Sequence, residues 1–339
     1  MSKISIAVDA MGGDFAPTAI VEGAGEALDY YGDRYHLFLV GDPGKIEDEL
    51  RRIGKYGDRR LEVIPSTQVV EMGEHPVSAI RRKRDSSINV AADLVRKKRA
   101  AALFSAGNTG ATVASAYFKW SMLPGIERPG IATIFPTEKS RFLLLDAGAS
   151  VDCTPLNLLH YGLMGSIYSS IVMRKKSPRV GLLCNGTEDG KGNRLTQAAF
   201  KLLQDAKGMN FIGNVEGHDL FTDKVDVVVC DGFVGNVMLK SCEQLAVSLG
   251  RMVKAQIMKR LLWKLGALMA KGAFTELRKA TDYSETGGAP LLGVAGACII
   301  GHGISDAKAV RNGIHAAGSF IRLRINETIT AQVKALNLP

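Results

Sequence analysis

Lys191 stands in the stretch Asn185 to Asn193, NGTEDGKGN, with a glycine on either side. Glycine lets a main chain approach a bound anion, and the ammonium adds a point charge. Other stretches combine glycine with an amide or hydroxyl. Ser105-Ala106-Gly107-Asn108-Thr109-Gly110 precedes a helical pattern, where helix-opening N–H groups favour phosphate or an oxyanion. Asp231-Gly232-Phe233-Val234-Gly235-Asn236 ends in an amide that can donate to an oxyanion. Asp9 and Asp14 flank the tight Gly12-Gly13 loop, which is not GxGxxG and gives no dinucleotide fingerprint. Each stretch also has a plainer explanation, because polar strand-to-helix turns and helix-start Asn residues ordinarily cap. His75 beside Pro76, and His302, are acid–base candidates, although a lone histidine is more often structural.

These loops need elements to hold them. An apolar run leads into each: Ile4 to Val8, Ala101 to Phe104, Val180 to Cys184 and Val225 to Cys230. Helical spacing follows, as in Arg194 to Leu203. Strands at His36–Val40, Leu61–Ile64, Ile131–Phe135, Arg141–Leu145 and Ala297–Ile300 extend the alternation with helices. That pattern predicts an α/β protein with a mainly parallel sheet, whose ligands bind at the carboxyl edge of the strands.

At 339 residues the chain can form two core-bearing units or one large intertwined α/β body. The scattered Cys153, Cys184, Cys230, Cys242 and Cys298 form no CxxC pair, so free thiols and no metal site are expected. Cys230 as a covalent nucleophile lacks a histidine nearby in sequence. The amino terminus enters a strand at once, so no signal peptide is expected, and no apolar run is long enough to cross a bilayer. From Gln244 to Thr275 there is no acidic residue. Within it, the segment near 249–274 reads as a basic amphipathic helix on an anionic membrane surface, with Leu261, Leu262, Trp263, Leu265 and Leu268 as contacts. Packing on the core or on a second copy is the other reading. The net charge of +9 brings no nucleic acid into view, because stacking aromatics do not accompany the basic runs. The cations Arg81-Arg82-Lys83-Arg84 face an acidic partner or simply solvate a helix end.

Taken in order, the glycine loops resemble the bacterial phosphate acyltransferases of phospholipid synthesis. The stretches are AVDAMGGDFAP at Ala7, SAGNTGA at Ser105, LPGIERP at Leu123, LLDAGASVDC at Leu144, NGTEDGKGN at Asn185, FIGNVEGHDLF at Phe211, VVVCDGFVGN at Val227 and GGAPLLGV at Gly287. The resemblance implies an isopropylmalate dehydrogenase/phosphotransacetylase-like fold of two intertwined α/β/α subdomains, near 1–145 plus 285–339 and near 146–284, with a cleft between them. It implies a cytoplasmic homodimer, peripherally associated with the inner face of the cell membrane. The implied reaction moves a fatty acyl group from acyl carrier protein to inorganic phosphate without a cofactor. The acyl phosphate would pass to a membrane glycerol-3-phosphate acyltransferase. Lys191 and Asn236 are then the catalytic candidates. Asp9, Gly12, Gly13, Ser105, Gly107, Asn108, Thr109, Gly110, Asn193 and Gly235 line the substrate cleft, and Arg81 to Arg84 would receive the carrier protein. Ser150, His218, Ala295 and Asp306 depart from the family pattern and take no role. The rivals are a nucleotide-dependent dehydrogenase of the same fold and a non-catalytic membrane scaffold.

Overall fold

The computed structural model describes residues 3–336. Its strands are β1 (Ile4–Asp9), β2 (Tyr35–Gly41), β3 (Leu61–Pro65), β4 (Ala102–Ser105), β5 (Gly130–Pro136), β6 (Arg141–Leu145), β7 (Arg179–Leu183), β8 (Asn210–Val215), β9 (Val227–Val229), β10 (Ala289–Leu292) and β11 (Ala297–Ile300). They form one 11-stranded sheet in the order β3-β2-β1-β4-β11-β10-β5-β6-β9-β7-β8. Side chains alternate between its faces, so Ile6 and Val8 of β1 join one apolar core while Ala7 joins another. Helices cover both faces. This is why a strand such as Val227–Val229 is apolar throughout rather than alternating.

The predicted α/β architecture is present, and the sheet consists of two parallel groups. β3, β2, β1, β4 and β11 are parallel, as are β6, β9, β7 and β8. Antiparallel pairing of β11 with β10, β10 with β5, and β5 with β6 reverses direction between them. In a flat sheet their carboxyl-edge loops would lie at opposite ends. The 26-residue helix Gly232–Ile257, which leaves β9, bridges that separation. It is about 40 Å long, and its Lys240 meets His302 in the loop after β11.

Three local expectations change. Ala289–Leu292, expected as loop, is β10, because β11 and β5 each offer an antiparallel edge. Arg81 and Arg82 belong to their own short helix, Pro76–Arg82, which starts with proline where no N–H is needed. The basic segment is not one helix: Gly232–Ile257 is followed by Leu261–Met269 and Lys271–Thr281. From 244 to 269 no residue is buried, so this segment does not pack on the chain's own core.

Candidate active site

At the carboxyl edge of the first group, Asp9 is buried and its Oδ2 accepts from the Ser105 hydroxyl at 2.7 Å. Burial pushes the Asp9 carboxyl above its ordinary range, against the pull of Ser87, Ser105 and the Met11 backbone. Ser105 Oγ in turn accepts from the Gly107 N–H at 3.2 Å. A Cβ on Gly12 would lie 2.6 Å from Asp9 Oδ2 and 2.8 Å from the Gly107 nitrogen, so only glycine lets these loops touch. Asp9, Gly12, Ser87, Gly107, Asn108 and Thr112 line a recess about the size of one water. Gly13, at φ +114°, lies against Gly303, whose carbonyl accepts from the Asp14 N–H at 2.8 Å.

Asn108 proves structural in its side chain. Its Oδ1 caps the helix Thr109–Lys119 at the Ala111 N–H, 3.0 Å, and its Nδ2 donates to the carbonyls of Met72 and Glu74 at 2.9 and 3.2 Å. The helix-opening N–H groups of Thr109 and Gly110 have no acceptor within the helix, and they are the anion-ready donors of this loop. Pro76 packs on Gly110, which brings exposed His75 to the same edge.

The second group is organised around Asp146, just after β6. Its carboxylate is fully buried and accepts from the N–H groups of Ile131, Gly148, Ala149 and Ser150 at 2.7–3.0 Å. Burial pushes it up to about 6, although those N–H groups favour the charged form. The helix Gly232–Ile257 is seated on this loop. Gly232 N–H donates to the Ser150 carbonyl at 2.9 Å, and a Cβ on Gly235 would lie 1.8 Å from the Asp146 carbonyl oxygen. Asp231 caps the helix through the Val234 N–H, 2.9 Å. Asn236 is therefore not a cap. It is exposed and stands against Gly148.

Lys191 follows β7, whose strand neighbours β9. It is exposed, and its stem runs along Gly186. Asn214 Nδ2 donates to the Glu188 carbonyl at 2.9 Å, and the Lys191 N–H donates to that same carbonyl at 3.0 Å, so the loop is fixed. Among the described residues no ion pair or side-chain hydrogen bond engages Lys191, and none joins it to Asn236. Asn193 is a cap: its Oδ1 accepts from the Thr196 N–H at 2.9 Å, and Thr196 Oγ1 accepts from the Asn193 N–H at 3.0 Å. Cys230 is buried, and burial with the carboxylates of Asp146 and Asp231 holds its thiol well above its ordinary value. It is poorly suited to attack a thioester.

Sequence reasoning missed Lys240 and Glu243. Lys240 Nζ lies 3.0 Å from Glu243 Oε2 and 3.3 Å from His302 Nε2, so the cluster joins the two groups of strands. Burial raises the Glu243 carboxyl, but His302 and Lys240 outweigh it and hold the group below its ordinary value. The available signal was spacing: Lys240 and Glu243 stand four and seven residues beyond Asn236, on one face of a helix. The departing positions serve locally. Ser150 Oγ donates to the Pro129 carbonyl at 3.1 Å, Asp306 caps the helix Ala307–Arg322, and the exposed His218 lies 3.4 Å from Asp219.

The profile of a family described as "Fatty acid synthesis protein" matches residues 4–328. The phosphate acyltransferase of Pelotomaculum thermopropionicum is 48% identical over 335 residues, covering 99% of this chain and 96% of that protein. That of Syntrophotalea carbinolica is 47% identical over 331 residues, covering 98% and 94%. The chain belongs to the phosphate acyltransferase family. Its fold is also that of a phosphotransacetylase from Streptococcus pyogenes, with a TM-score of 0.63 at 16% identity over 94% of each chain. At that identity the likeness speaks for the fold alone. Membership places the loops around Lys191, Asn236 and Gly107 in an acyltransferase.

Proposed function

We propose that the chain transfers a fatty acyl group from acyl carrier protein to inorganic phosphate, giving acyl phosphate for glycerophospholipid synthesis. The full-length match to phosphate acyltransferases carries this reading. A phosphate oxygen attacks the thioester carbonyl carbon. The C–O bond forms, the C–S bond breaks, and the proton of the hydrogen phosphate passes to the departing sulfur. The products are acyl phosphate and the free carrier thiol. Such a reaction gains most from orientation and from donors already aimed at the oxyanion.

In this scheme Lys191 neutralises phosphate, and the uncommitted Asn236 amide donates to the thioester oxygen. The N–H groups of Thr109 and Gly110 hold the phosphate from the other side. Asp9, Ser105, Gly12, Gly13 and Gly107 shape that loop, Gly235 seats the Asn236 helix, and Asn193 fixes the lysine loop. His75 is the weaker proton-transfer candidate. The chain divides into subdomains near 1–145 plus 285–339 and near 146–284, with β6 (Arg141–Leu145) pairing with the second. The unburied apolar side chains from Leu245 to Met269 serve a second copy of the chain and an anionic membrane surface. The protein would work in the cytoplasm at the inner face of the membrane, passing its product to the glycerol-3-phosphate acyltransferase there. Arg81, Arg82 and Arg84, exposed beside the Gly110 edge, receive the acidic carrier protein.

The decisive experiment supplies acyl-acyl carrier protein with and without phosphate and measures thiol release and acyl phosphate trapped as hydroxamate. Phosphate-dependent formation of both is expected. Thiol release that ignores phosphate would mean hydrolysis and would defeat the proposal.

A further inference from the structure

We propose that Lys240 is a second phosphate-binding cation of this site, held in place across the cleft by His302 and Glu243. The inference rests on the reaction above and adds residues to it. Lys240 lies one helical turn beyond Asn236, so their side chains are neighbours on one face of Gly232–Ile257, with Cβ atoms about 5–6 Å apart. That face meets the opposing strand group at His302. His302 adjoins Gly303, which packs on Gly13, and Gly12 touches Gly107, two residues before the helix-opening Thr109. Contacts thus run from Lys240, on the Asn236 face of its helix, to the loop proposed for phosphate.

The charge requirement supports a second cation. A phosphate dianion attacking a carbonyl carries two negative charges and moves part of that charge onto the oxyanion, and one ammonium neutralises it only in part. Lys240 has three N–H donors. Glu243 accepts one of them at 3.0 Å, and His302 Nε2, 3.3 Å from Nζ and 3.9 Å from Glu243 Oε2, lies beside that same carboxylate, which leaves Lys240 an N–H for a phosphate oxygen. Glu243 and His302 are positioning residues: they limit the motion of a flexible side chain that is otherwise half exposed. The contact also needs the two strand groups together, so the cation is placed only when the cleft is assembled.

Lys240→Gln, Lys240→Arg and His302→Gln test this. With Lys240→Gln the KM for phosphate should rise about ten- to a hundredfold, the worth of one charge-assisted hydrogen bond, while the KM for acyl carrier protein stays near wild type. Lys240→Arg should recover part of the loss. Inorganic phosphate alone should raise the Tm of the wild-type protein and raise it much less in Lys240→Gln. A wild-type phosphate KM in Lys240→Gln, or lower kcat with phosphate KM and the phosphate-induced Tm rise intact, overturns the assignment. Should Lys240→Gln not fold, His302→Gln decides: its phosphate KM should rise by a smaller factor, and an unchanged value overturns the assignment. The Tm measurement needs no acyl donor. Failure of the wild-type protein to form acyl phosphate would therefore count against the proposed reaction, and loss of the Tm difference against Lys240.

Discussion

At the scale of single residues, the polar side chains divide by whether the fold already uses them. Asn108 and Asn193 spend their amides on caps and loop clamps, so alanine at either site should act mainly on stability, about 1 kcal/mol for a lost cap. Asn236 and Lys191 have no such commitment, and an uncommitted side chain fixed over a glycine loop is available to substrate. Asn236→Ala should lower kcat by about 10²–10³, the usual cost of removing one oxyanion donor, and Lys191→Ala should lower kcat/KM for phosphate by about ten- to a hundredfold or more, the worth of a charged contact to phosphate, with Tm essentially unchanged in both. Steady-state kinetics beside thermal unfolding checks this. A variant that keeps its rate would remove that residue from the mechanism. Lys191 was legible because lysine between glycines is conspicuous in sequence. The difference between Asn236 and Asn193 was not, because both follow strands and only the structure shows that Asp231 takes the capping task.

At the scale of elements, the start of the helix Gly232–Ile257 depends on two glycines lying against the Asp146 loop. A Cβ at Gly235 would come within 1.8 Å of a backbone oxygen, which cannot give way as the tip of a flexible side chain can. Gly235→Ala should therefore tilt or lift the helix, costing about 1–3 kcal/mol of stability, and should displace Asn236 next door. The measurable outcome is a lower Tm together with a loss of kcat that exceeds the loss of folded protein. Wild-type values of both would show that the helix is not seated as described. Most elements could be read from their periodicity, since strands buried on both faces are uniformly apolar and their helices return at 3.6 residues. β10 was hidden by Gly287, Gly288 and Pro290, which punctuate the sequence like a loop. The Lys240–His302 contact was hidden by a separation of 62 positions in sequence and by a reversal in the middle of the sheet.

At the scale of the whole molecule, the outstanding feature is a run of apolar and basic residues that the chain itself does not cover. Leu261 and Leu262 are 73% and 80% exposed, and Met269 is 90% exposed. No helix among the described residues is long and apolar enough to cross a membrane, so this surface would lie on a bilayer rather than span it. Its cations, with Arg260 stacked on Trp263 at 4.6 Å, suit an anionic surface. Vesicles containing phosphatidylglycerol should sediment with the protein at low salt and release it as ionic strength rises, since screening shortens electrostatic attraction to about 10 Å at 0.1 M. Of the two tryptophans, Trp120 is buried and Trp263 is 44% exposed, so a blue shift on vesicle binding reports the helix Leu261–Met269. Replacing Leu261 and Leu262 with Asp should abolish both sedimentation and blue shift while sparing turnover of soluble acyl-acyl carrier protein. Weaker self-association of that variant than of the wild type, with vesicle binding retained, would assign the residues to a second copy of the chain instead of the membrane.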